Sequence, residues 1–196
     1  MNTSSPVTYL FFDTETTGLP RRRDAPVTDL SNWPRLVQLG YLLTDTQGSP
    51  IARGDFIIRP EGFTIPVSST QIHGITNDRA LREGHPLKSV MNHFHVLVNK
   101  AAYLVAHNMA FDEKIVGAEF LRNGLTNPIP GKARICTMQR TINFCAIPGP
   151  YGYKWPSLQD LHRKLFGTSF TGAHNAATDI QMTCKCFWEL RRRGMI

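Results

Sequence analysis

A short apolar strand that runs directly into two carboxylates is the feature that most constrains this chain. The stretch from Tyr9 to Pro20 reads Tyr-Leu-Phe-Phe-Asp-Thr-Glu-Thr-Thr-Gly-Leu-Pro, and a first strand is predicted over Val7 to Asp13. Side chains two positions apart leave an extended backbone on the same side, so Asp13 and Glu15 are expected to present both carboxylates to one point. Two like charges at one point need a cation, or one of them must take up a proton. Carboxylate oxygens are hard ligands that suit Mg²⁺ or Mn²⁺.

The same residues also fit an ordinary turn after an edge strand. Thr16, Thr17 and Gly18 are of the residue types that turns commonly use. The opening stretch by itself therefore leaves a metal site and a simple turn as two open interpretations.

Length and charge indicate a globular domain with an excess of positive charge. A chain of 196 residues with 41% hydrophobic content can bury a full core, and a single domain over residues 1–196 is the simplest expectation. The chain has 22 Lys and Arg against 15 Asp and Glu, a formal charge of +7 that favours a polyanionic partner such as nucleic acid.

Two arginine triplets contribute to this charge. Arg21, Arg22 and Arg23 follow the opening carboxylates, where they are predicted to contact a phosphate backbone, although a solvated face is the alternative. The triplet at 191–193 lies at the end of the last predicted helix, where positive charge offsets the negative end of the helix dipole.

Cysteine usage and hydropathy bear on the compartment. The four cysteines form no C-x-x-C pair, so we predict structural thiols in a reducing compartment. The stretch before the first strand lacks a signal-peptide apolar region, and no apolar run reaches membrane-spanning length. We therefore expect a cytoplasmic protein that does not associate with membranes.

The apolar runs predict a mixed sheet. Leu36 to Asp45 and Pro50 to Pro60 are separated by Thr-Gln-Gly-Ser, which indicates an antiparallel hairpin that joins the first strand in a three-stranded core. Further strands are predicted over Ala102 to Ala106 and Arg134 to Thr137. The fold class is therefore α/β, with three antiparallel strands plus parallel strands in a sheet flanked by helices.

Helical periodicity and end signals predict the helices. A single helical turn is expected around Gln71, ending at Gly74. The longer helices are expected over Pro86 to Asn99, Met109 to Asn123, Met138 to Cys145, Ser157 to Phe166 and Ala176 to Arg193. The segments from Pro20 to Pro34 and from Pro148 to Pro156 are expected to be loops.

Two later stretches carry further candidate groups. Asp112 falls in the first turn of a helix that follows a strand, where open α/β sheets collect functional groups. On one continuous helix His174 and Asp179 would lie about 140° apart. We therefore assign His174 to the loop before the last helix and Asp179 to the helix itself, although a lone histidine at a helix start is often structural.

Taken in chain order, these stretches resemble the motifs of the DEDDh, or DnaQ-like, family of 3′ to 5′ exonucleases, which includes the proofreading epsilon subunit of bacterial DNA polymerase III. Phe12 to Leu19 resembles the first motif, His107 to Asp112 the second and His174 to Asp179 the third, and Gln71 to Ile75 resembles an intermediate segment. The similarity extends over Val7 to Leu190 and implies a ribonuclease H-like fold.

The resemblance also implies roles for the acidic residues. Asp13, Glu15 and Asp179 would hold one divalent ion, and Asp13 would bridge to a second, with Asp112 acting on it directly or through water. Two Mg²⁺ or Mn²⁺ ions are therefore the expected cofactors. His174 would act as the base that takes a proton from the attacking water, and the products would be nucleoside 5′-monophosphates.

A set of nucleotide-binding residues follows from the same resemblance, with Leu19 placed against a base. His107 and Asn108 have a structural alternative, in which Asn108 caps the following helix. Phe111 and the tryptophans 33, 155 and 188 are more typical of a core, although Trp33 beside the arginines is a possible stacking residue. With the arginine triplet, which is predicted from its charge and not from the resemblance, the full set is Thr16, Thr17, Gly18, Leu19, Arg21, Arg22, Arg23, His107, Asn108 and Phe111.

The predicted function is a metal-dependent 3′ to 5′ exonuclease that acts on single-stranded 3′ ends, with DNA favoured over RNA. Two alternatives stay open: an RNA-trimming or oligoribonuclease-like exonuclease, and a catalytically idle nucleic-acid-binding module. A polymerase or another nucleic-acid-processing complex is a possible partner.

Overall fold

A computed structural model describes residues 7–173 and 175–196 of the chain. Within these residues, five strands form one sheet in the order β3-β2-β1-β4-β5. The strands are β1 (Tyr9–Thr16), β2 (Leu36–Thr44), β3 (Pro50–Ile57), β4 (Tyr103–Ala106) and β5 (Ala133–Cys136).

The sheet is mixed, as predicted. β1 pairs antiparallel with β2, and β2 pairs antiparallel with β3. On its other side β1 pairs in parallel with β4, and β4 pairs in parallel with β5. The carboxyl ends of β1 and β4 therefore meet at the same edge of the sheet, where the first two sequence motifs lie.

Helices cover the sheet and connect its strands. The described helices are α1 (Val67–His73), α2 (Asn77–Glu83), α3 (Leu87–Lys100), α4 (Met109–Arg122), α5 (Thr137–Arg140), α6 (Ile142–Cys145), α7 (Leu158–Phe166) and α8 (Ala176–Arg192). None of these helices is both long enough and apolar enough to cross a bilayer.

Alternation along β1 divides the core between the two faces of the sheet. Leu10 and Phe12 belong to a large cluster that includes residues of α3 and α4. Tyr9 and Phe11 point to the opposite face, in a cluster with Ile180 and other residues of α8. Because β1 is buried on both faces, its side chains aim in two defined directions.

A glycine in β2 lets α8 approach the sheet next to the carboxylates. Gly40 pairs with Asp13 across the ladder. A Cβ atom at Gly40 would clash with Ile180 and lie 3.1 Å from the backbone carbonyl carbon of Ala176. The missing side chain therefore allows the first turns of α8 to pack directly over this part of the sheet.

A buried charge cluster fixes the long loop after β1. The Glu119 side chain is fully buried and lies 2.9 Å from both the Arg35 and the Arg122 guanidinium groups. Arg122 also donates to the carbonyls of Leu30 and Trp33, at 2.6 and 2.7 Å. The predicted loop between β1 and β2 is thus tied to α4, because a buried carboxylate needs such partners.

The structure differs from the predicted elements in several places. β1 continues to Thr16 instead of ending at Asp13. The helix expected up to Cys145 is broken into α5 and α6 at Thr141, whose hydroxyl donates back to the Thr137 carbonyl at 2.7 Å. Helix α2, capped by the Thr76 side chain, was missed. The predicted loop after α6 contains a short hairpin of β6 (Pro148–Gly149) and β7 (Gly152–Tyr153).

Candidate active site

Three carboxylates converge where β1 ends beneath α8. Asp13 and Glu15 lie two positions apart on β1, and Asp179 lies in the first turn of α8. One oxygen from each carboxylate can be chosen so that all three lie within 4.8 Å of one another. Three hard oxygen donors this close together suit a divalent cation such as Mg²⁺ or Mn²⁺.

Asp112 reaches the same region from α4. Its side chain is buried, and its Oδ1 accepts hydrogen bonds from the backbone N–H of Thr14 at 3.0 Å and from the Thr14 hydroxyl at 2.7 Å. Thr14 lies between Asp13 and Glu15 on β1. These two hydrogen bonds attach the Asp112 carboxylate to the strand that carries Asp13 and Glu15.

The electrostatics show why this cluster calls for positive charge. Burial, followed by the charges of Asp179 and Asp112, raises the pKa of Glu15 to about 8. Burial, followed by the charges of Asp112, Asp179 and Glu15, raises the pKa of Asp13 well above its usual range. The pKa of Asp112 rises to about 7, mainly through burial and against the opposing effect of the Thr14 hydrogen bonds. Each shift reports a carboxylate that lacks enough compensating positive charge.

These shifts predict how the stability of the metal-free protein depends on pH. An acid whose pKa is raised on folding binds more protons in the folded state, so the free energy of unfolding falls as pH rises from the ordinary value of 4.5 towards about 8 for Glu15. We expect the Tm in EDTA to be lower at about pH 8 than at about pH 5.5, by at least about 2–4 °C, and Mg²⁺ to reverse much of this loss.

A charge-removing variant provides the control for this experiment. Glu15→Gln cannot ionise, so it should reduce the difference in Tm between the two pH values and also reduce the stabilisation by Mg²⁺. Thermal unfolding followed by circular dichroism measures both quantities. An equal pH dependence in wild type and Glu15→Gln would contradict the assignment of the effect to this cluster.

The Thr14 hydroxyl is expected to keep the Asp112 carboxylate oriented for binding a cation. Thr14→Val keeps the side-chain volume and the backbone N–H but removes the 2.7 Å donor. Loss of such a partner to a ligand carboxylate typically lowers activity or metal affinity about 10–100-fold. Thr14→Ser keeps the hydroxyl and should stay near wild type. Mg²⁺ affinity measured by calorimetry distinguishes the two variants, and equal losses in both would indicate a packing effect.

The segment after the carboxylates forms an ordered turn. The Thr16 hydroxyl donates to the Gly18 carbonyl at 2.7 Å, and Thr17 exchanges two 2.9 Å hydrogen bonds with Arg35. Gly18 has a φ of 145°, which side-chain-bearing residues rarely adopt. Leu19 follows with 74% of its surface exposed. The turn holds this apolar side chain in solvent beside Glu15.

Two cavities open next to this turn. The first, of about 160 Å³, is lined by residues that include Glu15, Leu19, His73 and Phe111. The second, of about 280 Å³, shares Leu19 and Phe111 with the first and adds Arg23, Trp33 and Trp155. A larger cavity of about 970 Å³ lies along β3 and α8, but none of the four acidic candidates lines it. We therefore take the two smaller cavities as the candidate site, because Glu15 lines the first and the second shares two lining residues with it.

Other predicted nucleotide-binding residues are placed differently. His107 is half-buried, with Nε2 donating to the Pro156 carbonyl at 3.1 Å and Nδ1 2.9 Å from the Thr137 hydroxyl, and burial lowers its pKa to about 4. These contacts fit its structural alternative. Asn108 does not cap α4 through its side chain, so that expectation was wrong; it adopts a left-handed conformation with a φ of 79° instead. Phe111 lines both cavities.

The arginine triplet does not act as one unit. Arg22 is exposed and forms an ion pair with Asp24 at 3.1 Å. Arg23 lines the second cavity. The backbones at Arg21 and Arg22 are held by hydrogen bonds to Asn32. Of the three side chains, Arg23 is therefore the one placed next to the candidate site.

The start of α8 is held by residues that the sequence did not single out. Asn175 Oδ1 accepts from the Thr178 N–H at 3.2 Å, and Gln38 Oε1 accepts from the Ala176 N–H at 3.4 Å. Gln38 also donates to Asp55 at 2.6 Å. Gln38 stands opposite Glu15 in the ladder, but no local motif marks it. His174, the predicted base, lies outside the described residues.

Comparison with known proteins identifies the family. Residues 10–187 match the RNase_T family model, which is described as an exonuclease. The chain belongs to the RNase_T exonuclease family. A DNA polymerase III PolC-type protein of Streptococcus pneumoniae is 31% identical over 179 residues, which are 91% of this chain but 11% of that protein. The epsilon subunit of DNA polymerase III from Treponema pallidum is 29% identical over 181 residues, 92% of this chain and 75% of that subunit. The chain thus spans about a tenth of the length of its PolC-type relative.

Solved exonuclease structures agree in fold. E. coli exonuclease I in a zinc-bound complex with single-stranded DNA aligns with a TM-score of 0.74 and 22% identity, covering 95% of this chain and 41% of that one. The same enzyme with a dT13 oligonucleotide aligns with a TM-score of 0.76 and 21% identity. The predicted ribonuclease H-like α/β fold and the predicted relationship to the DnaQ-like exonucleases are confirmed.

Proposed function

We propose that this RNase_T family member is a metal-dependent 3′ to 5′ exonuclease that releases nucleoside 5′-monophosphates from single-stranded 3′ ends, and that residues 1–196 form one exonuclease domain. The observation that carries the proposal is the convergence of Asp13, Glu15 and Asp179, with one oxygen of each within 4.8 Å of the others, beside a cavity. Such a donor set in an exonuclease fold suits phosphodiester hydrolysis.

The donor set suits two ions. Asp13, Glu15 and Asp179 would hold one divalent cation, and Asp13 with Asp112 would hold a second. The raised pKa values of Asp13, Glu15 and Asp112 support this assignment, because bound cations would compensate the repulsion that raises them. A pair of Mg²⁺ or Mn²⁺ ions stabilises charge on the attacking and leaving oxygens of an in-line phosphoryl displacement.

The remaining residues would position the strand and move a proton. The turn from Thr16 to Gly18 would hold the terminal nucleotide in the first cavity, with Leu19 and Phe111 against its base. The Thr14 hydrogen bonds would keep Asp112 in a fixed orientation. His174 would accept the proton from the attacking water and so act as the general base.

DNA is the favoured substrate. The relatives quoted above are DNA polymerase III proteins, and the exonuclease I structures hold single-stranded DNA or an oligonucleotide. The same relatives support a polymerase or another nucleic-acid-processing complex as a partner. An RNA-trimming exonuclease and an idle binding module are the alternatives that the following experiment addresses.

Digestion of 5′-labelled DNA and RNA oligonucleotides of one sequence, side by side, tests the proposal. We expect DNA to shorten one nucleotide at a time from its 3′ end with Mg²⁺ or Mn²⁺, to release 5′-monophosphates and to stay intact in EDTA. Faster shortening of RNA would favour the RNA-trimming alternative. Binding without shortening would favour the idle module, and shortening in EDTA would contradict metal dependence.

A further inference from the structure

The short hairpin at residues 148–155 carries an unusual surface. Tyr151, Tyr153 and Trp155 are exposed by 103%, 54% and 57% of their reference areas. Among the described residues, no other Phe, Tyr or Trp side chain is exposed to this degree. Large aromatic side chains that are exposed together on one small element are typical of a surface that binds a ligand or a partner. We call residues 148–155 the aromatic hairpin.

The aromatic hairpin is attached to the candidate active site. The Pro156 carbonyl, next to Trp155, accepts a 3.1 Å hydrogen bond from His107, which directly precedes the second-cavity residue Asn108. The Lys154 N–H also donates to the Ile147 carbonyl at 3.0 Å. The aromatic side chains are therefore presented from a backbone that is fixed to the carboxyl end of β4.

Shared lining residues connect the hairpin to the carboxylates. The first cavity contains Glu15, and it shares Leu19 and Phe111 with the second cavity. The second cavity shares Trp155 with a third, of about 290 Å³, that is formed by the hairpin itself. Three neighbouring cavities that share lining side chains thus extend from Glu15 to Tyr151.

The charge along the outer two of these cavities is positive. Arg23 lines the second cavity and Lys154 lines the third, and the described lining of neither cavity includes a carboxylate. Aromatic side chains interleaved with basic ones, without acidic groups, match a single-stranded polyanion whose bases stack and whose phosphates meet the cations. A protein partner would not require this combination.

We propose that the aromatic hairpin binds the nucleotides that precede the 3′ end of a single-stranded substrate. Trp155 and Phe111 would flank the second base from the end, and Tyr153 and Tyr151 would stack the bases beyond it. This inference rests on the proposed function and extends it, because it makes substrate length a determinant of affinity.

Oligonucleotide binding in EDTA tests the inference without hydrolysis. Wild-type protein is titrated with thymidine 5′-monophosphate, a thymidine dinucleotide and a thymidine octanucleotide, followed by fluorescence anisotropy or calorimetry. Trp155→Ala should weaken octanucleotide binding about 5- to 150-fold, the range for losing one stacked base, and Tyr151→Ala should weaken it in the same direction. Neither change should alter binding of the mononucleotide, which reaches only the first cavity.

Intrinsic fluorescence supplies a readout that a folding defect would not reproduce. Trp155 is far more exposed than Trp33, so the octanucleotide should quench the emission of Trp155. Trp155→Phe keeps a stacking ring, so it should bind within about threefold of wild type while losing that quenching. Val96→Ala, at a side chain with 49% exposure on α3, is the matched control and should leave both readouts unchanged.

The outcomes separate this inference from the proposed function. Octanucleotide affinity that stays at the wild-type level in both Trp155→Ala and Tyr151→Ala, with no quenching in wild type, would overturn the hairpin proposal even if the enzyme releases nucleotides. Length-dependent binding with quenching, in a protein that releases none, would support the hairpin as a binding surface and overturn the proposed exonuclease activity instead.

Discussion

Asp13→Asn is expected to lower the rate of 3′-end shortening by at least about 10⁴-fold, the scale seen for residues that act as one catalytic unit. Asp13 is the carboxylate assigned to both cation positions, and one of its oxygens lies within 4.8 Å of an oxygen of Glu15 and of Asp179. Replacing one carboxylate oxygen by an amide nitrogen removes a negative charge and a hard oxygen donor at nearly constant volume. The rate is measured by single-turnover digestion of a 5′-labelled oligonucleotide at saturating Mg²⁺.

The fold should survive this substitution. Asp13 has a raised pKa because burial and three neighbouring carboxylates disfavour its charge, so a neutral side chain relieves repulsion in the metal-free protein. We expect the Tm in EDTA at about pH 8 to be equal to or higher than that of wild type. The gain in Tm on adding Mg²⁺ should shrink at the same time.

An aspartate elsewhere controls for the chemical change itself. Asp78 is exposed in the first turn of α2, so Asp78→Asn should leave the shortening rate within about twofold of wild type and the Tm nearly unchanged. If Asp13→Asn unfolds the protein, its carboxylate is a structural group. If the variant keeps its activity, the assignment of Asp13 to the cation site is wrong.

The sequence was sufficient to predict the carboxylate pair because period-two alternation is a local property of a strand. It did not predict that β1 continues to Thr16, because that extension depends on pairing with β2, where Glu15 stands opposite Gln38. The register shifts directly after Glu15. The pairing keeps Glu15 on the strand, and the shift begins the turn that exposes Leu19.

Local sequence patterns do not predict hydrogen bonds between residues that are far apart in the chain. The bond between Thr14 and Asp112 joins residues 98 positions apart, and the bond between Gln38 and Ala176 joins residues 138 positions apart. Thr14 and Ala176 lie within the motifs, but neither residue type indicates a distant partner, and no motif marks Gln38. The positions of such groups follow from packing and were visible only in the folded chain.

Tryptophan burial shows the same limit. The prediction of a core position is confirmed for Trp33, whose indole N–H donates to the Pro26 carbonyl at 3.0 Å. It is wrong for Trp155, which is exposed on the aromatic hairpin. Residue type favours burial for both, but Trp155 lies two residues after a hairpin with only two residues in each strand, which is too small to cover it.

His174→Ala and Asp179→Asn are expected to separate two roles that adjoin in sequence. Asp179 belongs to the carboxylate cluster, so Asp179→Asn should lower Mg²⁺ affinity and the shortening rate together. His174 is proposed as a base, so His174→Ala should lower the rate by about two to four orders of magnitude while Mg²⁺ and oligonucleotide binding stay near wild type. Rates at saturating Mg²⁺, with binding measured in parallel, distinguish the two patterns.

The dependence of the rate on pH provides the independent evidence for a base. A base must be neutral to accept a proton, so the wild-type rate should climb as pH rises through the histidine pKa, about 6.5 for an unperturbed imidazole. Glu15, whose pKa is raised to about 8 without cations, titrates in a neighbouring pH range. The wild-type profile alone therefore does not show which group causes the rise in rate with pH, which we call the rising limb. The limb should vanish in His174→Ala and persist, at a lower rate, in Asp179→Asn. If His174→Ala keeps both its rate and the rising limb, another group accepts the proton.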